Sequence, residues 1–408
     1  MTVQTEGQQY TGYRWVMLIV LTMVNSLTSF CQYIPAYFAQ DIMADFGIAP
    51  AVFAILVSSP MIFGLVFAFA SGALADRFGI RKVVLIALVI SAAGAILRAF
   101  SYDFILLLIS SVMFGVAAAF CTSNLAKVAM EWFPVRQVSL AVGIGTALGT
   151  GGIAAAQAVT GLLFPDYHTA FLAAGIMMVI MLVAWIVLAR DKSSPEARQT
   201  SLKAGLLVVV RSRGVWLAGV GCLLYQAVNV ATGSFLITAL VLQWQTDPVM
   251  AGIIAALYIA SAAAGSAFVP ALVSRFPAAK LIFIIISLVA AALLYCGWIV
   301  PGAVAKCIVF VLAGVSFGGL IAAFLAYPSV LPEINDENSG AAGGLITTVM
   351  MFGAIFLPST VIMGIAGDDY NLMIIICCVL VALCAVVFAL LPSIYRGPST
   401  KDREQIDR

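Results

Sequence analysis

Twelve apolar runs of about twenty residues limit what this sequence can fold into. A helix rises about 1.5 Å per residue, so such a run crosses the hydrocarbon core of a bilayer, which is about 30 Å thick. Inside that core no water is available to the backbone N–H and C=O groups, and a helix satisfies them internally. The predicted spans are 14–38, 50–74, 83–100, 104–130, 139–163, 168–189, 215–242, 249–273, 280–300, 304–331, 340–364 and 371–392. The sequence therefore predicts an all-α integral membrane protein with twelve transmembrane helices.

The composition argues against a soluble enzyme. Hydrophobic residues make up 63% of the chain and charged residues only 9%, whereas about a quarter of a soluble protein is charged. All eight cysteines fall in or at the end of an apolar run, without the spacing of metal ligands, and the one histidine is His168. We therefore expect no enzymatic activity, no metal, no cofactor and no nucleic acid partner.

Lysine and arginine are distributed unevenly between the two ends of the spans. If both termini are cytoplasmic, eighteen of the twenty Lys and Arg residues lie on the inner side, and only Arg98 and Lys306 lie on the outer side. Inner loops of membrane proteins carry such an excess of positive charge. The bias predicts a multi-pass protein of the cytoplasmic membrane with both termini in the cytoplasm.

The chain also divides into two halves that resemble each other. A shift of 198 residues carries Pro50 onto Pro248 and Lys82 onto Lys280. This correspondence indicates an internal repeat. The predicted domains are an N-terminal six-helix bundle at 1–189, a cytoplasmic linker at 190–214, a C-terminal six-helix bundle at 215–392 and a cytoplasmic tail at 393–408.

A charged stretch joins the second and third spans. Small residues around Gly72 permit close approach of another helix, and Gly79 permits a tight reversal. Asp76 carries a carboxylate suited to a helix N-terminus. The full pattern is Gly72-x-Leu74-x-Asp76-Arg77-x-Gly79-x-Arg81-Lys82. This pattern resembles the signature loop of the major facilitator superfamily of membrane transporters.

The resemblance implies two pseudo-symmetric six-helix bundles that work by alternating access, with the substrate path between them. In the family, the acidic residue of the signature loop docks against the start of the eleventh span, which here is Asn338-Ser339-Gly340. Glu131 and Arg136 follow the fourth span and are expected on the same face as Arg77 and Arg81. We expect these contacts to stabilise the outward-open state.

Uncharged polar side chains lie within several spans, where a buried amide without a partner costs several kcal/mol. They are expected to face a ligand, water or a partner helix, and hydrogen bonding between helices is the alternative to substrate contact. By the resemblance, the first, fourth, seventh and tenth spans line the cavity. The candidate substrate contacts are Asn25, Gln226 and Asn229 near the midplane, Gln32, Tyr33 and Gln157 further out, and Tyr258 on the eighth span.

No Asp, Glu, Lys or Arg lies near the middle of a predicted span, and Arg98 is predicted at the outer end of the third span. Proton-driven carriers commonly use an intramembrane charge. By the resemblance, the arginine of proton-linked members in the fourth span corresponds here to Ser111, four residues before Gly115. The antiporter sequence of the fifth span is only partly matched by 145–152, because its proline is missing.

These observations favour a secondary transporter of a small organic solute, acting in the bilayer as a monomer and as a facilitator or exchanger. One alternative is proton-coupled multidrug or metabolite efflux. Another is a non-transporting membrane receptor or sensor, against which the intact signature loop argues, since a sensor does not need an inner gate.

Asp76→Asn removes the charge with which the signature loop is expected to dock. An exposed ion pair contributes only about 0.2–1 kcal/mol, so we expect transport to slow a few-fold with normal expression. The solute uptake rate per amount of protein in the membrane measures this effect. Asp103→Asn, in a predicted outer loop, is the matched control and should leave uptake unchanged, whereas undiminished uptake by Asp76→Asn would contradict the proposed docking.

Overall fold

The computed structural model describes residues 12–391, apart from 63–64, 67–73, 75–77, 191–207, 274–275, 277, 332 and 335–338. Within this part of the chain the secondary structure is helical, without strands. One helix corresponds to each predicted span and carries the number of that span. These helices are α1 Tyr13–Tyr37, α2 Pro50–Ser58, α3 Ile80–Ala99, α4 Phe104–Trp132, α5 Val135–Leu163, α6 Tyr167–Leu188, α7 Arg213–Trp244, α8 Pro248–Val273, α9 Ala279–Ile299, α10 Ala303–Ala326, α11 Ser339–Leu357 and α12 Tyr370–Leu390.

Eleven described helices are long and apolar enough to cross a bilayer. A short connecting helix, Ala39–Phe46, precedes α2 and is turned from it by 116°, and the number of candidate spans is twelve if this bent pair counts as one span. The predicted fold class, an all-α integral membrane protein, is confirmed. The first residue of every helix lies within four positions of its predicted start.

Local sequence explains where several helices begin. Ser212 precedes α7, and its hydroxyl accepts a hydrogen bond from the N–H of Val215 at 3.3 Å. Asp369 precedes α12, and its carboxylate accepts from the N–H of Asn371 at 2.9 Å. Gly79 precedes α3 with φ +84, a left-handed conformation that glycine adopts without a steric penalty. This positive φ is compatible with the tight reversal predicted at Gly79, which remains a prediction because residues 75–77 lie outside the described residues.

Proline residues interrupt the helices at identifiable carbonyl groups. Pro60 has no N–H to donate to the carbonyl of Leu56, and the hydroxyl of Ser59 donates to that carbonyl instead, at 2.9 Å. Pro358 ends the regular part of α11, which continues as a wider π turn over Pro358–Ile362 and a last turn at Met363–Ala366. The span predicted at 340–364 is thus present but not as one uniform helix.

Contacts group the chain into two compact units. The first comprises residues 1–32, 63–153 and 168–198, and the second comprises 33–62, 154–167 and 199–408. The second unit includes the ends of α1 and α5, the connecting helix and α2, together with α7 to α12. This grouping follows the packing of one conformation and differs from the two sequence halves, which remain a prediction.

Helices α8 and α10 form the most extensively packed pair in the second unit, and glycines make their contact close. A β-carbon at Gly318 of α10 would collide with the carbonyl oxygen of Ala262 on α8. A β-carbon at Gly265 of α8 would likewise collide with the carbonyl oxygen of Val315 on α10. The two backbones therefore touch directly, as in other membrane helix pairs with small residues at the interface.

Gly318→Ala should destabilise the protein because the backbone of α8 cannot yield to the added methyl group. We expect a loss of about 1–3 kcal/mol in the free energy of unfolding, the usual cost of overpacking. The midpoint of thermal unfolding of the purified protein in detergent measures it. Gly151→Ala is the matched control, since nothing lies within 4 Å of its β-carbon position, and it should leave the midpoint unchanged or slightly raised. Equal midpoints for both variants would contradict this account.

Candidate functional site

The structure separates the seven predicted substrate contacts into two groups by exposure. Gln32, Tyr33, Gln157 and Tyr258 are buried, whereas Asn25, Gln226 and Asn229 are partly exposed. Asn25 and Gln32 lie in the first unit, and the other five lie in the second.

Gln157 of α5 and Tyr33 of α1 meet at Gly233 of α7. The Gln157 side chain donates through Nε2 to the carbonyl oxygen of Gly233 at 2.8 Å. A β-carbon at Gly233 would lie 3.0 Å from Cε1 of Tyr33. Glycine at this position therefore lets both side chains approach the α7 backbone, and the structure brings two of the predicted substrate contacts together.

Three buried oxygen atoms on α5 and α7 have no hydrogen-bond partner among the residues that the structure describes. They are Oε1 of Gln157, Oγ1 of Thr160 on the next turn of α5, and Oγ1 of Thr238 on α7. Buried polar atoms usually have a partner, which is either protein or ordered water. These three atoms can therefore take hydrogen bonds from water or from hydroxyl groups of a bound solute. Thr160 and Thr238 are not apparent as site residues from the sequence, since a threonine inside a span usually donates to its own helix.

Asn25 packs on a glycine-rich face of α5. A β-carbon at Gly149 would collide with Nδ2 of Asn25, and one at Gly152 would collide with the carbonyl oxygen of Ser26. The segment 145–152, which partly matches the antiporter sequence, thus provides the surface on which α1 packs. This packing explains the glycines at Gly149 and Gly152 without any antiport.

Tyr258 belongs to an aromatic stack. The rings of Tyr225 and Phe317 are stacked with centroids 4.1 Å apart, and those of Tyr258 and Phe317 with centroids 6.2 Å apart. On α7, Gln226 and Asn229 are three residues apart, one turn of the helix. They remain candidate contacts on the partly exposed face.

Arg98 is buried in the protein, which corrects the prediction of an interior without charged side chains. The residue lies in the last turn of α3, as predicted, but it is only 1% exposed. Its guanidinium group donates to the hydroxyl of Ser111 at 2.6 Å, to that of Ser110 at 3.3 Å and to the carbonyl oxygen of Cys31 at 2.8 Å. The long side chain reaches from the helix end into the bundle, so its position in the sequence did not indicate the depth of its charge.

Two features explain why this charge is tolerated. Pro35 of α1 has no N–H, so the carbonyl of Cys31, four residues earlier, lacks its helical donor, and Arg98 supplies the missing hydrogen bond. The guanidinium carbon also lies 4.5 Å from the ring centroid of Phe114 and 5.4 Å from that of Phe171, where aromatic faces stabilise a cation.

Lys306 of α10 is also buried. It is 4% exposed, and its ammonium group donates to the carbonyl oxygen of Trp298 at 2.7 Å. Nζ lies 4.3 Å from the ring centroid of Trp244. The two cations that the charge count places on the outer side are therefore both buried among aromatic rings. In the described part of the chain, their hydrogen-bond acceptors are carbonyl and hydroxyl oxygens.

Near this end of the helices, the connecting helix carries two carboxylates. The hydroxyl of Tyr167 donates to Oδ2 of Asp45 at 2.6 Å and fixes the connecting helix against the start of α6. Partial burial raises the pKa of the Asp41 carboxyl, and the negative charge of Asp45 raises it further.

The predicted gating residues are only partly described. Gly72, Asp76 and Arg77 lie outside the described residues, as do the side chain of Arg136 and the predicted docking partner Asn338. Arg81 donates through Nη2 to the carbonyl oxygen of Ile186 at 2.9 Å, which holds the start of α3 against the end of α6. Lys82 is exposed and Glu131 is partly exposed. The docking of the signature loop therefore remains a prediction.

Comparisons with known proteins agree on the family. A sequence profile of the Major Facilitator Superfamily matches residues 18–358. The gallate transporter of Pseudomonas putida is 25% identical over 224 residues, which cover 52% of this chain and 48% of the relative. The 4-hydroxybenzoate transporter of Pseudomonas aeruginosa is 26% identical over 47% of this chain and 46% of its own length. The hexuronate transporter of Bacillus subtilis is 24% identical over 45% and 43%. The chain thus spans about half the length of the curated relatives that it matches.

Solved structures with the same fold cover almost the whole chain. A bacterial homologue of the human lysosomal transporter Spinster, in its inward-facing and occupied conformation, aligns with a TM-score of 0.76 at 17% identity, covering 96% of this chain and 98% of that one. The unoccupied conformation aligns with a TM-score of 0.74 at 16% identity, covering 94% and 96%. At these identities the likeness establishes the fold alone.

Arg98→Met should destabilise the protein, because it leaves the carbonyl of Cys31 without a donor. We expect a loss of about 1–3 kcal/mol in the free energy of unfolding. In a Pro35→Ala background the restored amide donates to that carbonyl, so the same substitution should cost less there. Thermal unfolding of the four proteins of this double-mutant cycle measures the coupling.

Arg213→Met, at an exposed arginine that begins α7, is the control for this cycle and should leave the unfolding midpoint unchanged. An equal cost of Arg98→Met with and without Pro35 would show that the two residues do not act on the same carbonyl.

Proposed function

This chain belongs to the Major Facilitator Superfamily, and we propose that it transports a small organic anion across the cytoplasmic membrane by alternating access. The observation that carries the proposal is the pair of buried cations. Arg98 and Lys306 are bound by neutral oxygens and aromatic faces, so their positive charge is not cancelled by a carboxylate in any described contact. An uncancelled charge in a low-dielectric interior attracts a mobile ion of opposite sign.

The relatives point to the same class of solute. Gallate, 4-hydroxybenzoate and hexuronate are all carboxylates that also carry hydroxyl groups, and they are the solutes for which three relatives are named. A site for such solutes needs cations for the carboxylate and neutral acceptors or donors for the hydroxyl groups. The unpartnered oxygens of Gln157, Thr160 and Thr238 supply the second requirement.

We keep the seven predicted side chains as the proposed solute contacts, with different roles. Asn25, Gln226 and Asn229 are partly exposed and offer amide groups to a solute. Gln32 is buried, Tyr33 and Gln157 are engaged with Gly233, and Tyr258 is engaged in its aromatic stack. Tyr33, Gln157 and Tyr258 therefore shape the path in this conformation, and they contact the solute when the helices separate.

The packing within the second unit supports a closed gate at the end of the helices that is poor in Lys and Arg. Besides the Gln157–Gly233 hydrogen bond, a β-carbon at Gly161 of α5 would collide with the Tyr37 ring, and one at Gly252 of α8 would lie 3.3 Å from it. The rings of Phe53 on α2 and Phe235 on α7 have centroids 5.5 Å apart. With both termini in the cytoplasm, these contacts form the outer gate, and the signature loop with Glu131 and Arg136 forms the inner one.

The driving force follows from the positions of the acids. No Asp or Glu of the sequence falls in the interior of a predicted span, so we propose a facilitator or exchanger, acting as a monomer, that is driven by the solute gradient. Proton coupling is the second candidate, because the guanidinium group of Arg98 lies beside Ser111, where proton-linked members carry an arginine.

Uptake of 4-hydroxybenzoate into proteoliposomes tests the proposed function. We expect uptake that follows the solute gradient and continues when an uncoupler collapses the proton gradient. Gluconamide, a neutral polyol, is the matched control solute and should not enter. Loss of uptake on addition of the uncoupler alone would favour proton coupling, and equal uptake of gluconamide would contradict an anion carrier.

A further inference from the structure

A cavity of about 540 Å³ lies at the outer ends of α7 to α10, where the turn between α7 and α8 faces the turn between α9 and α10. Its size is within the usual range for sites that bind small molecules, about 300–1,000 Å³. All of its lining residues belong to the second unit. They are Trp244, Thr246, Asp247, Met250, Pro301, Gly302, Ala303 and Lys306.

Lys306 gives one side of this cavity a positive charge. Its described hydrogen bond, to the carbonyl oxygen of Trp298, uses one of the three donors of the ammonium group. Gly302 precedes α10 and provides no side chain to cap the first amides of that helix. An anion beside Lys306 would therefore meet both a buried ammonium group and the positive end of a helix.

The remaining walls favour an aromatic solute with a hydrogen-bond donor. The indole of Trp244 lines the cavity and is held at right angles to Trp298, with ring centroids 5.8 Å apart and an interplanar angle of 78°. Asp247 lies in the lining as well, and its Oδ2 accepts a hydrogen bond from the N–H of Met250 at 3.0 Å. A carboxylate has further lone pairs with which to accept from a phenol, and it repels an anion placed beside it.

We propose that this cavity is a second binding site, which captures hydroxylated aromatic carboxylates before they enter the transport path. The carboxylate of the solute binds Lys306, its ring packs on Trp244 and its hydroxyl donates to Asp247. The proposal rests on the proposed function, since it names the solute class of the same transporter. Because the site lies among loops at the outer end, it acts on capture and not on the movement of the helices.

Uptake kinetics of 4-hydroxybenzoate in cells that express the protein separate capture from translocation. Lys306→Gln removes the charge but keeps a donor for the carbonyl of Trp298. We expect it to raise KM about tenfold while the maximal rate stays within about twofold, because a charged hydrogen bond is lost only in the captured complex. Lys306→Arg keeps the charge and should keep KM within about threefold of the wild-type value.

Lys280→Gln is the matched lysine control. Lys280 begins α9 at the opposite end of the second unit, where its ammonium group donates to the carbonyl oxygens of Ala389 and Leu391. The KM of the Lys280→Gln variant for 4-hydroxybenzoate should be unchanged. Asp247→Asn retains a side chain able to cap α8 and should reduce the preference for 4-hydroxybenzoate over benzoate.

Tryptophan fluorescence of the purified protein locates the bound solute. Quenching by 4-hydroxybenzoate should be lost in Trp244→Phe and retained in Trp216→Phe, which changes an exposed tryptophan near the other end of α7. These two tryptophan variants test whether the solute binds beside Trp244 even if Lys306→Gln does not fold. The neutral amide 4-hydroxybenzamide, at the same concentration, should quench the fluorescence of neither variant.

The outcomes distinguish this site from the transport activity. If the wild-type protein takes up 4-hydroxybenzoate but KM is unchanged in Lys306→Gln, or quenching persists in Trp244→Phe, the capture site is wrong. Uptake by the wild-type protein still upholds the transporter, with Arg98 as the remaining buried cation that attracts the solute. If quenching depends on Trp244 but no carboxylate is taken up, the site stands and the proposed function fails. If neither uptake nor quenching occurs, both are overturned.

Discussion

A charge in the hydrocarbon core must be stabilised where it lies, because water cannot reach it. This constraint accounts for the arrangement around Arg98, which combines two hydroxyl groups, one carbonyl oxygen and the faces of two aromatic rings. Lys306 follows the same rule with a carbonyl oxygen and an indole. In both places the protein screens a positive charge without neutralising it. Among the described residues, Arg98 and Lys306 are therefore buried cations whose described hydrogen-bond partners carry no negative charge.

The spans were predictable because a bilayer imposes its thickness on every helix that crosses it. Length and apolarity alone located the first residue of each spanning helix to within four positions, and Gly79, which precedes α3, has a positive φ. The departure at Pro358 has a local cause. A proline inside an apolar run removes one donor, and the helix then kinks, widens, or has the free carbonyl satisfied by a nearby hydroxyl group. Ser59 provides such a hydroxyl after α2, whereas α11 widens into a π turn.

The site was less predictable, for reasons that differ between residues. Inspection of the spans identifies Gln157 as a buried amide, but not Gly233 as its acceptor, since glycine has no side chain to suggest a contact. Arg98 was placed correctly at a helix end, yet its guanidinium group bonds to residues on two other helices. In the sequence Lys306 is one of two outer charges, whereas in the structure it is buried beside Trp244. Depth along the bilayer can be estimated from sequence, whereas the direction and reach of a side chain cannot.

The proline of α1 has a consequence for how the protein is made. As the first helix enters the membrane during synthesis, the carbonyl of Cys31 has no donor within its own helix. Its partner, Arg98, follows 67 residues later in the chain. The whole of α3 must therefore be synthesised before the carbonyl of Cys31 has its donor in lipid. The guanidinium group of Arg98 in turn has its acceptors only once α1 and α4 lie beside it. Until α3 and α4 have both been synthesised, neither the carbonyl of Cys31 nor the guanidinium group of Arg98 has the hydrogen bonds that it makes in the folded protein.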